Sequence, residues 1–303
     1  MTTPQGVPEG RRPTPAQLAA AIALLGDDRG PIQAAASARL LRWGELARKP
    51  LQDAAEAEAV LLRMRARALL RALDMQKDLR RFAELRLGRG GRGSAPALLE
   101  GAVLLTQMVR TFVPDTAALT ARLRREANTL RGEFAGRSLP VCARLLAQRL
   151  HGELRLTGGD PGALETEKPS LDRPSLDRVS IDRVLELRTG VPVALSLIYL
   201  LVARWAGLSA AGVAMPDHFL VRLHGVRPVL VDPLHGGRTI TKVDCARHLR
   251  ASGHEQVREH LRDLTDREVL IHYLRGLQRA AAHRAVPETQ RTLGHALSLL
   301  ETR

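Results

Sequence analysis

The chain has 303 residues, 45% hydrophobic and 26% charged, enough apolar material for one large domain or two smaller ones and too much for general disorder. Its only cysteines, Cys142 and Cys245, lie far apart outside any CxxC pattern, which excludes a disulfide framework and a zinc knuckle; both read as small core residues. The formal charge of +14 and a pI near 11.2 would ordinarily point to nucleic acid or an anionic surface. Yet lysine occurs only at Lys49, Lys77, Lys168 and Lys242, and the arginines are spread among acids along helical stretches, as at Arg122, Arg124, Arg125 and Glu126. With aromatic residues at 3%, stacking of bases has little support, and a solvated basic face is the simpler reading.

In chain order, residues 1–14 form a Pro- and Gly-rich tail without the apolar core of a signal peptide. No apolar run reaches the ~18 residues of a membrane helix, so the expected location is cytoplasmic, with no membrane partner. From Pro15, Leu18, Ile22 and Leu25 recur at helical spacing, Gly26 to Asp28 breaks the run, and Ile32, Ala36, Leu40 and Leu41 begin a second stripe. This helix pair opens a HEAT-like region, 15–95, continued by one long Ala/Leu/Arg helix over 51–87 and a glycine hinge at 88–93. Helices follow at 96–113, at 115–134 with Asp115 or Thr116 as cap, and at 139–154, making 96–157 a second helical region. The loop 158–180 carries tandem pentapeptides, PSLDR at 169–173 and 174–178 and VSIDR at 179–183, of which only the last is expected to pack.

The pattern then changes. A buried helix is predicted at 192–205, followed by strands at 210–215, 218–224 and 228–232 within a core of 181–243. The region 244–303 returns to helix and ends in a pair at 266–283 and 287–300. Three phrases place polar groups at element ends: RTGVPVALS from Arg188 to Ser196, PDHFLVR from Pro216 to Arg222, and VDPLHGG from Val231 to Gly237. Acyl transfer by cysteine needs a thiolate at a helix N-terminus, a histidine on a neighbouring strand and an acid on the next to orient it. His218 and Asp232 have the order and spacing of such a base and orienter. His248, His254 and His260, spaced by six, do not share a helical face, so no metal site is expected.

These phrases, extended as LELRTGVPVALSLIYL from Leu185 to Leu200, GVAMPDHFLVR from Gly212 to Arg222 and VDPLHGGR from Val231 to Arg238, resemble the signature of the SirB-type transglutaminase-like proteins. The similarity extends back through LLEGAVLL at Leu98 to Leu105 and forward into the terminal helices, which look like a tetratricopeptide pair. The resemblance implies a predominantly helical α+β fold, with a buried helix on a small antiparallel sheet, N-terminal helices and a C-terminal helical pair. It also puts the nucleophile position on Pro192, well suited to a first helical turn but unable to attack a carbonyl. Proline is common there in the family, whereas Asp217 replaces its usual glycine and Leu234 its usual aromatic residue.

Three functions stay open. The leading expectation is a pseudoenzyme, a transglutaminase-like module without its thiol that binds a protein or peptide. Arg188, Gly190, Tyr199, Asp217 and His235 would line the cleft beside His218 and Asp232, and no cofactor is required. The second is a hydrolase or acyltransferase using His218 and Asp232 with Ser196, one turn below Pro192, or with water. The third is a basic nucleic-acid-associated protein. Neither the partner's identity nor the oligomeric state is legible in the sequence.

Overall fold

The computed structural model describes residues 12–88, 93–110, 114–158, 175–216, 218–255, 257–282 and 287–302. The tail up to residue 11, residues 89–92 of the glycine hinge, the first pentapeptide and Asp217 lie outside the described residues. Contacts divide the chain into two compact units, Met1–Asp78 and Leu79–Arg303. That division falls inside a continuous helix, earlier than the boundary near residue 95 suggested by the glycines.

The first unit begins with α1 (Pro15–Leu25) and α2 (Gly30–Trp43), the expected helix pair. Thr14 opens α1 with a reciprocal capping box to Gln17. The long helix expected over 51–87 is in fact two, α3 (Arg48–Ala54) and α4 (Val60–Glu84). The break has a physical cause: Arg67 Nε donates to the Ala55 carbonyl at 3.2 Å, and Arg63 Nη1 donates to the Ala57 carbonyl at 2.9 Å. Guanidinium groups thus satisfy backbone acceptors that a continuous helix would have paired internally. Arg65 does the same at the end of α1, donating to Leu25 and Asp27 at 2.9 and 2.8 Å. Leu25, Leu40, Leu51 and Leu73 form the core of this unit.

In the second unit, α5 (Ala95–Val109) and α6 (Thr116–Phe134) precede α7 (Leu139–Ala147), which ends in a π-helical turn, Gln148–Glu153. Asp115 caps α6 through the amides of Ala117 and Ala118, both at 3.0 Å. Two short helices follow, α8 (Leu176–Val179) and α9 (Ile181–Leu187). The middle pentapeptide is therefore folded from Ser175 onward, beyond the expectation that only the last copy packs. The reason is Leu176, which packs on the core, and the Arg178 carbonyl, which accepts the Val191 amide at 3.0 Å.

Helix α10 (Pro192–Trp205) is buried continuously from Val193 to Ala203, as a sequence that is apolar there except for Ser196 requires. It packs against an antiparallel sheet of order β1 (Ala210–Met215), β2 (His218–Leu223), β3 (Val229–Asp232) and β4 (Arg238–Ile240). On β2, Phe219, Val221 and Leu223 join the core around α10, while Leu220 joins a smaller core with Val213, Met215, Leu230, Cys245 and Leu249. The second face is covered by α11 (Lys242–Ala251), beside α12 (Val257–His260).

Helices α13 (Asp266–Ala281) and α14 (Pro287–Glu301) complete the unit. Thr265 and Glu268 form a capping box on α13, and Arg262 together with Thr265 holds the Glu268 carboxyl down at about 2. A buried hydroxyl pair, Thr106 to Tyr273 at 2.8 Å, ties α5 to α13, and the Ile181 amide donates to the same tyrosine oxygen at 3.2 Å. The fold is α+β and predominantly helical.

Candidate functional site

Alternation along β2 and β3 decides which residues meet. His218 and Leu220 share one face of β2, and Leu230 and Asp232 share one face of β3, so His218 and Asp232 lie on the side covered by α11. His248 of α11 confirms this, its ring meeting that of His218 edge to face at 4.9 Å.

Asp232 is 1% exposed. One carboxylate oxygen accepts the Leu234 amide at 3.1 Å. The other lies 2.7 Å from His235 Nδ1 and 3.6 Å from Arg238 Nε. The His235 ring stands 5.5 Å from that of His218. His235 belongs to a 3-10 turn, Pro233–His235, that directly follows β3 and is closed by Gly236 and Gly237, both at positive φ. His218, Asp232 and His235 each present a ligand atom, and these atoms all fall within 4.8 Å of one another. The histidines spaced by six, His248, His254 and His260, are not members of this grouping.

Behind Asp232 stands Tyr199 of α10, fully buried, its hydroxyl pushed up by burial first and by the Asp232 charge second. The His151 ring lies 5.7 Å from it, and burial lowers the pKa of this imidazole, which bonds the Leu156 carbonyl through Nδ1. Sequence reading missed His151, His248 and Arg238. His151 is some eighty positions from Asp232 with no local pattern to connect them, and β4, which supplies Arg238, is only three residues long.

Pro192 occupies the first position of α10, after Val191 in extended conformation. Ser196 is fully buried, and its hydroxyl donates to the Phe219 carbonyl at 2.6 Å. Its proton is therefore committed to backbone, a packing arrangement and not one that passes the proton to a base. Cys142 and Cys245 are buried, and burial pushes both thiols up, away from thiolate. Arg188 is exposed with φ of 61°, ending α9, and its carbonyl accepts the Thr157 amide at 2.8 Å. Gly190 is buried where a Cβ would lie 2.8 Å from Val184.

On the α11 side a groove of about 650 Å³ is lined by Arg222, Lys242, Arg247, Arg250 and Arg258 over an apolar floor of Val257 and Leu261. No carboxylate lines it among the described residues. Arg222 is only 9% exposed, pairs with Asp263, and has a buried Nε without a hydrogen-bond partner among the described residues.

A sequence model described as Transglutaminase-like superfamily matches residues 117–275, more than half the chain. Two curated relatives, both called UPF0162 protein, come from Xylella fastidiosa. The protein of strain 9a5c is 44% identical over 79 residues, 26% of this chain and 25% of the relative. That of strain Temecula1 is 34% identical over 107 residues, 33% of this chain and 38% of the relative. The chain thus spans well under half the length of the curated relatives it matches. No solved structure matches.

Proposed function

This chain belongs to the transglutaminase-like superfamily, and from that premise we propose that it is a non-catalytic member whose basic groove beside α11 receives an acidic segment of a protein partner. The observation that carries the reading is the start of α10. The position where the superfamily's chemistry needs a thiolate holds Pro192, and both thiols of the chain are buried and held protonated.

Several features support binding in place of acyl transfer. Five cations line one groove with an apolar floor, a combination suited to a peptide that alternates carboxylates with aliphatic side chains. Lys242, Arg250 and Arg258 have no ion-pair partner among the described residues, leaving their charge for an incoming group. Among the described residues no aromatic side chain on which bases would stack lines the groove, which favours a peptide over a nucleic acid. Within the superfamily, the phrases around Arg188, His218 and Asp232 favour the SirB type, and the α13–α14 pair favours a tetratricopeptide-like end that adds a second partner surface. A cytoplasmic setting accords with two free, buried thiols.

The test is fluorescence anisotropy with a labelled peptide of alternating Glu and Leu. The peptide should bind, its affinity should fall by about tenfold or more in Arg247→Glu/Arg250→Glu, and a peptide with Lys for Glu should fail to bind. Equal binding by the charge-reversed variant, or tighter binding of single-stranded RNA than of the peptide, would overturn the reading.

A further inference from the structure

The cluster around Asp232 has the chemistry of a metal centre. Two imidazoles and one carboxylate converge from the start of β2, the end of β3 and the turn after it, with all three ligand atoms within 4.8 Å. Their burial is graded: Asp232 is buried, His218 half-buried and His235 exposed. Such a set grips an ion from the protein side and leaves an outward position for water or a ligand, as open three-ligand sites do.

We propose that His218, Asp232 and His235 bind a divalent transition-metal ion, zinc foremost. The donor set decides the class of ion. Two nitrogens and one oxygen suit zinc, cobalt or nickel, whereas calcium and magnesium require oxygen ligands in greater number. A tetrahedral ion about 2.0–2.1 Å from each donor asks for ligand atoms roughly 3.3–3.4 Å apart, so one ligand must shift: the 2.7 Å contact of His235 Nδ1 with Asp232 opens as the ion enters, and the wider spacings close. His235 is the ligand able to do so, because it is exposed and followed by Gly236 and Gly237 at positive φ. The Leu234 amide fixes one oxygen of Asp232, and the edge of the His248 ring steadies His218. The opposing charge is Arg238, 3.6 Å from the second oxygen of Asp232; its side chain is 61% exposed and can swing into water as the ion enters. The outward position would accept water or a carboxylate.

The test uses the full chain, without a polyhistidine tag and stripped of metal, titrated with zinc by calorimetry and with cobalt by visible absorption. One ion per chain should bind, with the absorption of low-coordinate cobalt carrying nitrogen and oxygen ligands. His235→Ala should weaken binding by at least ~10–100-fold while leaving the circular dichroism spectrum unchanged, since the side chain is exposed. The control is the other histidine pair, His254 and His260, whose rings lie 4.9 Å apart. The double variant His254→Ala/His260→Ala should bind as the native chain does. Absence of saturable binding below millimolar zinc, binding that survives His235→Ala, or binding lost only in the control would each overturn the proposal. None of these outcomes bears on the acidic-peptide measurement, so the two readings fail separately.

Discussion

Replacing Arg204 by alanine is expected to destabilise the folded chain by about 3–5 kcal/mol at neutral pH, because it strands a buried carboxylate. Arg204 Nη1 lies 2.7 Å from Asp266 Oδ1, with the side chains 4% and 0% exposed, and Arg204 Nε donates to the Ala210 carbonyl at 3.0 Å. One guanidinium therefore joins α10, β1 and the start of α13. The chain packs closely on the other side of Asp266: its amide donates to the Gly88 carbonyl at 3.2 Å, and a Cβ on Gly93 would sit 2.0 Å from its Oδ2. Burial pushes the Asp266 carboxyl up even with Arg204 present. A carboxyl with a raised folded-state pKa binds its proton more tightly when folded, so stability gains as pH falls through that pKa. The deficit of the Arg204→Ala variant should accordingly shrink on acidification, when neutral Asp266 no longer needs a counter-charge. Urea unfolding at neutral and mildly acidic pH reads both effects. The paired replacement Arg204→Met/Asp266→Leu should recover most of the loss, since it removes both charges together.

The second large effect is expected at Gly237. Its φ is 71°, and a Cβ there would lie 2.1 Å from the Tyr199 hydroxyl and 2.6 Å from Ala147 Cβ. Gly237→Ala should therefore cost about 2–5 kcal/mol, combining left-handed backbone strain with overpacking. The hydroxyl of Tyr199 is buried without a hydrogen-bond partner among the described residues, so Tyr199→Phe alone should be neutral or slightly stabilising. In the double variant the shortest contact disappears, and the combined loss should be smaller than the sum by roughly 1 kcal/mol or more. Strict additivity, measured by denaturant unfolding of the four proteins, would contradict this packing of α10 against the turn after Asp232.

The parts of the fold that were legible in sequence are those with a long, unmixed signal. Helix α10 was readable from Pro192 to Trp205 because every position up to Ala203 is apolar or small after a proline suited to a first turn. The three strands from Ala210 to Asp232 were readable from alternation, and Asp115 announced its helix. Strand β4 was not readable: Arg238, Thr239 and Ile240 are mostly exposed, and their pairing with β3 depends on two glycines at positive φ.

The arginines were harder still. In sequence they look like a solvated basic face, yet Arg122 donates to the Leu185 carbonyl at the end of α9 and Arg131 to the Trp205 carbonyl at the end of α10. Whether an arginine caps a distant helix or faces water is decided by tertiary packing, which no local period records.

At the site, the sequence paired Asp232 with His218 by order and spacing. The structure brings His235, expected to line the cleft, to 2.7 Å from the carboxylate, and adds His248 across the sheet face. Local spacing revealed the strand partners. It was silent on α11, whose placement depends on the apolar contacts of Cys245 and Leu249 with the sheet.

The proposed function is that of a transglutaminase-like core that binds without forming a covalent intermediate. Its most direct test is intact-mass spectrometry of the native chain and of His218→Ala after incubation with a glutamine-containing peptide and an amine donor. The expected result is an unmodified mass for both proteins at every time point. A covalent acyl adduct that forms on the native chain and is absent from His218→Ala would contradict it.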